Sequence, residues 1–418
     1  MSKQDLSQRE KIVIGKPYIK KDDSTQNKVL LCSEIWKNGE TRTLYFETDE
    51  EYGSYFCEDR SDAFLVGLIN TAMHEDLDIQ CEAGVTEQLL FQLRMYYIPA
   101  MAKNFSNMHE ISIFSEGIST STINCNAVGT GNSGGVDSMY TMSKYSKSGL
   151  GSFKLSHVIF NNISSGDNDE GRIRKLFERD IPERKKTAED FGLNFIAMFT
   201  NLYSFYKDVA LFNHFFTLQY ASAAYALAKL FSVFYFSSTW PFEDFSMNEK
   251  EIVSGGRFDL FSLDCVSNSS LKFYSAGAEV DRVQKMEYIM HNSLVKKHLQ
   301  VCAIEQSLGG YQYNKKLNCG HCNKCGRTIA ILYANDLLEE YEDIIDTSIF
   351  KKNKARFIGQ NLAADQRGFV VQVFRLLKNK NKKPKGVEFW RFLYGIRYKL
   401  AKNKKLVKIY HKLFKKGR

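Results

Sequence analysis

The hydrophobic period changes repeatedly along the chain, and each change marks an expected element. KVLLCSEIW (28–36) and RTLYFETD (42–49) are rich in β-branched and aromatic residues and read as strands. RSDAFLVGLINTAMHED (60–76) places Phe64, Leu65, Leu68, Ile69 and Met73 on one helical face. VTEQLLFQLRMYYIPAMAKN (85–104) reads as a second helix, with Thr86 as N-cap and Pro99 near its end. Residues 1–25 are polar and read as loose. From about residue 110 the order becomes strand, turn, helix. STINCNAVGTG is a strand entering the turn GNSGG, and SGGVDSMYTMSKYSK opens a helix. LSHVIFNNIS (155–164), LNFIAMFTNL (193–202), SVFYFSSTW (232–240) and SLKFYSAG (270–277) read as further strands. Helices are expected between them at 170–192, with a charged outer face, and at 208–230.

Alternating strands and helices predict an α/β fold whose parallel sheet is flanked by helices, with ligands at the carboxyl ends of the strands. The apolar stretch from Ala221 to Phe236 is interrupted by Lys229 and reads as a buried helix running into a buried strand, not as a membrane span. The N-terminus lacks the apolar core of a signal peptide, so a cytoplasmic location is expected. Four domains are expected: an N-terminal α/β domain over 1–115, a nucleotide domain over 116–300, a metal subdomain over 301–345 and a basic helical tail over 346–418.

Charge sharpens the last boundary. The chain carries +9 overall, but Lys351–Arg418 holds 22 Lys+Arg against 2 Asp+Glu, leaving the other 350 residues at −11. A uniformly basic nucleic-acid-binding enzyme would not divide its charge this way. In the tail, Leu393, Ile396 and Leu400 lie at helical spacing, as do Val407, Tyr410 and Phe414, with Lys and Arg on the other faces. Such a helix suits the anionic inner face of a membrane. An RNA-binding arm, or a solvated helix packed on the acidic body, fits the same pattern.

Two motifs carry chemistry. In the first, Ser133, Gly134, Gly135, Asp137 and Ser138 stand at the start of a helix. Glycines there let backbone N–H groups turn inward onto an anion, and the helix N-terminus adds partial positive charge. No Lys stands where a Walker A loop needs it. Gly129, Gly131 and Gly134 match a dinucleotide fingerprint as text, but no acid follows near residue 160. An ordinary capping turn would not need Gly-Gly followed by Asp-Ser.

In the second motif, Cys319, Cys322 and Cys325 form C-x₂-C-x₂-C, with Cys302 upstream. Four thiolates at this spacing can close a tetrahedral Zn²⁺ shell. An iron–sulfur cluster is the main rival, although the usual following Cys-Pro is missing. A CxxC redox pair would leave two cysteines unexplained. His321 can replace a cysteine but is not needed, and the other five cysteines read as small core residues.

Further candidates cluster elsewhere. Glu279, Asp281, Arg282 and Lys285 follow an expected strand end, and Arg282 or Lys285 there can neutralise developing phosphate charge. Glu279 and Asp281 equally suit a solvated first helical turn. Asn201 ends the third strand, where a polar residue can face a ligand. His214 reads as a core histidine, and Arg327 as a support for the metal knuckle.

Ser133-Gly134-Gly135-Val136-Asp137-Ser138 resembles the SGGxDS signature of the PP-loop ATP pyrophosphatases, an adenine nucleotide alpha hydrolase-like superfamily with a HUP/Rossmann-like domain. The cysteine segment resembles that of 7-cyano-7-deazaguanine synthase, and more closely that of PP-loop proteins of cell-surface polysaccharide biosynthesis. The resemblance covers about 120–335. It departs from the pattern at Asn132, where the family usually has an apolar or small residue. It implies an enzyme that binds ATP through Ser133, Gly134, Gly135, Asp137 and Ser138, with Asn201 near the ligand and Asp137 helping to organise Mg²⁺. Asp137, Ser138, Arg282 and Lys285 would act in catalysis, and Zn²⁺ would be structural. AMP and pyrophosphate would be the products, through attack of a carboxylate or amide oxygen of a small-molecule substrate on the α-phosphate. Nitrogen would then displace AMP, with ammonia free or from a partner, since no glutaminase domain is visible. The alternatives are 7-deazaguanine or tRNA base modification, and a non-catalytic ATP/AMP-binding regulator.

Overall fold

Asn38 and Gly39 close a two-residue hairpin. Both take positive φ, 54° and 80°, as a two-residue turn that follows the natural strand twist requires. The turn joins β3 (Lys28–Lys37) to β4 (Glu40–Asp49) in unbroken antiparallel register, from Lys37↔Glu40 to Lys28↔Asp49. The structure is a computed structural model that describes residues 9–21, 27–163, 169–206, 215–251, 254–302, 316–363 and 368–402.

The remaining strands are β1 (Lys11–Ile14), β2 (Tyr18–Lys21), β5 (Asp78–Thr86), β6 (Ile113–Ser119), β7 (Ala127–Gly131), β8 (His157–Asn161), β9 (Asn194–Thr200), β10 (Phe231–Ser237) and β11 (Lys272–Ala276). They form one mostly parallel sheet in the order β11-β10-β7-β8-β9-β4-β3-β1-β5-β6, with β2 paired to β3. Helices Val136–Tyr145, Glu170–Asp190, Phe216–Ala226 and Asp259–Cys265 connect the parallel strands from β7 to β11, as crossovers between parallel neighbours require. Each strand expected in this half is present, although the one entering the glycine turn is shorter than its sequence run, beginning only at Ala127. Among the described residues no helix is long and apolar enough to cross a membrane.

The N-terminal residues depart from expectation. Those read as loose include β1, which lies between β3 and β5 and pairs with both. Its Ile12 and Ile14 are fully buried while Lys11 and Val13 are not. Four residues give too short a run for period 2 to stand out. Nor does the boundary expected near 115 interrupt the fold. β4 pairs with β9 through Phe46↔Thr200 and Glu47↔Phe199, and one hydrophobic core runs from Ile12 to Phe273.

The chain divides elsewhere into two compact units. The first is Met1–Ser133 with Tyr140–Val280; the second is Gly134–Met139 with Asp281–Arg418. In the second unit the described part of the basic tail is packed. Gly359 of helix Lys354–Ala363 lies against Val387 and Trp390 of helix Val387–Lys402. Val407, Tyr410 and Phe414, like His214, lie outside the described residues.

Gly129 sits in the middle of β7, where a Cβ would come within 2.6–2.9 Å of the rings of Phe231 and Phe234. Gly129→Val is therefore expected to cost about 1–3 kcal/mol in urea unfolding through overpacking. Gly149→Ala, at an exposed glycine with nothing within 4 Å of the added carbon, should change stability by no more than ~0.5 kcal/mol.

Candidate functional site

After β7 the chain makes the turn Asn132–Gly135 and enters helix Val136–Tyr145. Asn132, the departure from the apolar pattern, is buried in the first unit. Its N–H donates to Ile159 O at 2.8 Å and its amide to Arg184 O at 2.9 Å. Ser133 ends the first segment of that unit and Gly134 opens the first segment of the second. Gly134 takes φ +72°, a conformation that disfavours any residue with a Cβ. Its carbonyl accepts from Gln300 N at 2.9 Å. Ser138 is buried and donates its hydroxyl to Gly135 O at 3.1 Å, and Gly135 O also accepts from Met139 N at 2.9 Å.

Asp137, in the first turn of this helix, meets two cations from helix Arg282–Ile289. Arg282 Nη2 pairs with Oδ2, and Lys285 Nζ lies 3.1 Å from Oδ1. The second helix is firmly started: Asp281 and Gln284 form a reciprocal capping box, each accepting from the other's backbone N–H at 2.9 Å. Spacing i, i+3 then sets both cations on one face. Lys285 is 0% exposed, and the Asp137 carboxylate compensates its charge. Burial works to raise the Asp137 carboxyl, but the charges of Arg282 and Lys285, with their hydrogen bonds, outweigh it and hold the group below its ordinary value.

More cations gather here than one carboxylate neutralises. Arg282 lies over the Phe369 ring at 4.4 Å, and Arg327 faces the same ring at 5.4 Å. Arg282 Nε is buried without a hydrogen-bond partner among the described residues. Lys324 opens to water, yet the protein around it lowers its ammonium below the usual value, and the neighbouring Arg282 and Arg327 act in the same direction. Such a set can hold an anion with two or more charged oxygens. Lys324 and Phe369 were not singled out in the sequence; the only signal was the i, i+3 pairing of Lys324 with Arg327 inside the cysteine motif.

The four cysteines converge within the same unit. The thiol sulfurs of Cys302, Cys319, Cys322 and Cys325 all lie within 4.8 Å of one another. Cys319 and Cys325 are 3.8 Å apart, and a tetrahedron with Zn–S bonds of about 2.3 Å has edges of about 3.8 Å. Cys322 caps helix Asn323–Ala334, its sulfur accepting from Cys325 N at 3.5 Å. Asn318 fixes the fold around them: its side chain accepts from Val301 N at 2.7 Å and donates to Leu299 O at 2.7 Å and Ile344 O at 3.2 Å. His321 Nδ1 contacts Cys319 O at 3.0 Å. Burial is the leading reason that the metal-free Cys319 thiol is pushed up to about 12. The cluster can hold a metal such as zinc, and loading it displaces protons.

Two candidates belong to the first unit. Glu279 accepts from Tyr140 Oη at 2.7 Å and from Lys144 Nζ at 2.5 Å. Asn201 engages β4 with both ends of its amide, accepting from Tyr45 N at 3.0 Å and donating to Thr43 O at 2.8 Å. The structure thus brings together Gly134, Gly135, Asp137, Ser138, Arg282, Lys285 and the four cysteines in one unit, and gives Asn201 a place in sheet pairing. Compared with models of known protein families, with curated proteins and with solved structures, the chain matches none of them.

Removing Asp137 takes a facing carboxylate away from the buried Lys285 charge. Asp137→Ala should destabilise the second unit by about 3–5 kcal/mol at neutral pH, whereas Asp137→Leu with Lys285→Met should lose less, both read by urea unfolding. Because the folded carboxyl lies below its ordinary value of 3.8, its stabilisation is complete above that value and is lost as pH falls through the folded one. The acid-unfolding limb should therefore shrink in the double variant. For the cysteines, Cys322→Ser should reduce bound zinc from about one ion per chain to near none, as read by elemental analysis after gel filtration.

Proposed function

We propose that this protein is a PP-loop ATP pyrophosphatase that activates a small substrate by AMP transfer. The observation that carries the reading is the convergence of Arg282 and Lys285 on Asp137, in the first turn of the helix that opens with Ser133-Gly134-Gly135. Backbone N–H groups of the turn and helix start take phosphate oxygens, while Arg282 and Lys285 supply positive charge where negative charge develops on the α-phosphate. Asp137 acts by holding both cations in place. Its two oxygens are already engaged, so Mg²⁺ enters this reading with the nucleotide's phosphates.

A carboxylate or amide oxygen of the substrate attacks the α-phosphorus and pyrophosphate leaves. A nitrogen nucleophile, with ammonia free or from a partner, then displaces AMP from the activated carbon. Lys324 and Arg327 hold a negative group of the substrate or the nucleotide. Zinc on the four thiols pins the knuckle that carries these two cations. On the sequence resemblance, the substrate is a sugar or nucleotide-sugar used for surface polysaccharide.

The test is the fate of ATP. Incubated with Mg²⁺ and a small-molecule extract of its own cells, the protein should yield AMP and pyrophosphate, followed by phosphorus NMR. Arg282→Ala keeps the Lys285–Asp137 pair and should lower turnover by about 100-fold. ADP with phosphate would overturn the reading. ATP bound but unchanged would favour a non-catalytic nucleotide-binding regulator.

A further inference from the structure

Helix Val387–Lys402 bears apolar side chains on two faces. The inner face is used: Val387 is buried, and Trp390 packs with Gly359. Arg356 stacks 5.4 Å from the Trp390 ring and donates to Tyr394 Oη at 3.1 Å. Among the described residues nothing covers the outer face. Phe389, Phe392, Leu393 and Ile396 are 60%, 67%, 40% and 42% exposed. Their spacing of i, i+3, i+4 and i+7 makes one continuous stripe. Four large apolar residues in a row on a solvent face form a patch that calls for a partner.

Charge identifies the partner. From Phe389 to the C-terminus the sequence holds 11 Lys+Arg and no Asp or Glu. An apolar stripe within a run of cations matches the boundary between lipid headgroups and acyl chains, where aromatic and aliphatic groups sink and cations meet anionic headgroups. A nucleic acid would use the cations and could stack on the two phenylalanines, but it offers no counterpart to Leu393 and Ile396. The exposure of all four residues leaves the stripe free of the protein's own body among the described residues.

We propose that helix Val387–Lys402 docks this protein on an anionic lipid surface, its Phe389–Phe392–Leu393–Ile396 face lying in the headgroup layer. The docking is peripheral and does not depend on ATP chemistry.

Co-sedimentation of the full chain with phosphatidylcholine vesicles, with and without phosphatidylglycerol, tests this. Binding is expected only with phosphatidylglycerol, weakened by salt and by about tenfold or more in Phe389→Ser/Phe392→Ser. Phe389→Trp/Phe392→Trp should retain binding. Far-UV circular dichroism and zinc content establish that each variant is folded, and the single Phe392→Ser serves as a milder second variant. No binding to anionic vesicles, equal binding to neutral ones, or undiminished binding by the serine variants would each overturn the proposal. So would tight, salt-sensitive RNA binding in a chain that ignores vesicles.

Discussion

A lysine with no access to water has to be matched by a carboxylate, and the second unit depends on that match. Lys285 meets Asp137 across 148 residues of sequence, with Arg282 on the second oxygen. Neither helix start can drift without separating charges in a poorly solvating interior. Local features hold both in place: Gly134 supplies the left-handed turn before one helix, and the Asp281–Gln284 capping box starts the other. The triad therefore ties together two parts of the chain that the sequence keeps far apart. It also leaves positive charge in excess once Arg282, Lys324 and Arg327 are considered together.

The cysteine cluster belongs to the same construction. Gly134 O accepts from Gln300 N, Val301 N donates to Asn318, and Cys302 and Cys319 stand directly beyond these two contacts. The glycine turn and the thiols are thus joined by short backbone paths. Helix Asn323–Ala334 begins at Cys322, so the knuckle that can bind metal also aims Lys324 and Arg327. Phe369, from the basic C-terminal region, offers its ring to Arg282 and Arg327. The part of the chain that composition marks as a tail thereby contributes to the candidate site.

Legibility followed the length and purity of each pattern. The five strands from β7 to β11 and the helices after β7, β8 and β9 were legible in their local patterns, as was helix Asp62–Glu75, whereas the short helix Asp259–Cys265 was not. β1 and β2 are four residues each, and β5 mixes buried and partly exposed positions across a register shift between Cys81 and Gly84. Such strands are specified by the neighbours they pair with, which no local window contains. Asn201 looked like a ligand-facing residue because it ends a strand, but the antiparallel edge of β4 engages its amide.

By itself, the sequence determined the alternation of elements, the glycine turn before a helix, the four-cysteine spacing and the concentration of positive charge near the C-terminus. Each of these is written in residues close together, where backbone preference and side-chain spacing act directly. Only the tertiary structure decided that the N-terminal strands join the same sheet as the central ones, that Asp137 answers to Arg282 and Lys285, and that the Phe389–Ile396 stripe is left open while the opposite face is packed. Those outcomes depend on burial and on charge compensation between distant segments, and neither is defined until the chain has folded.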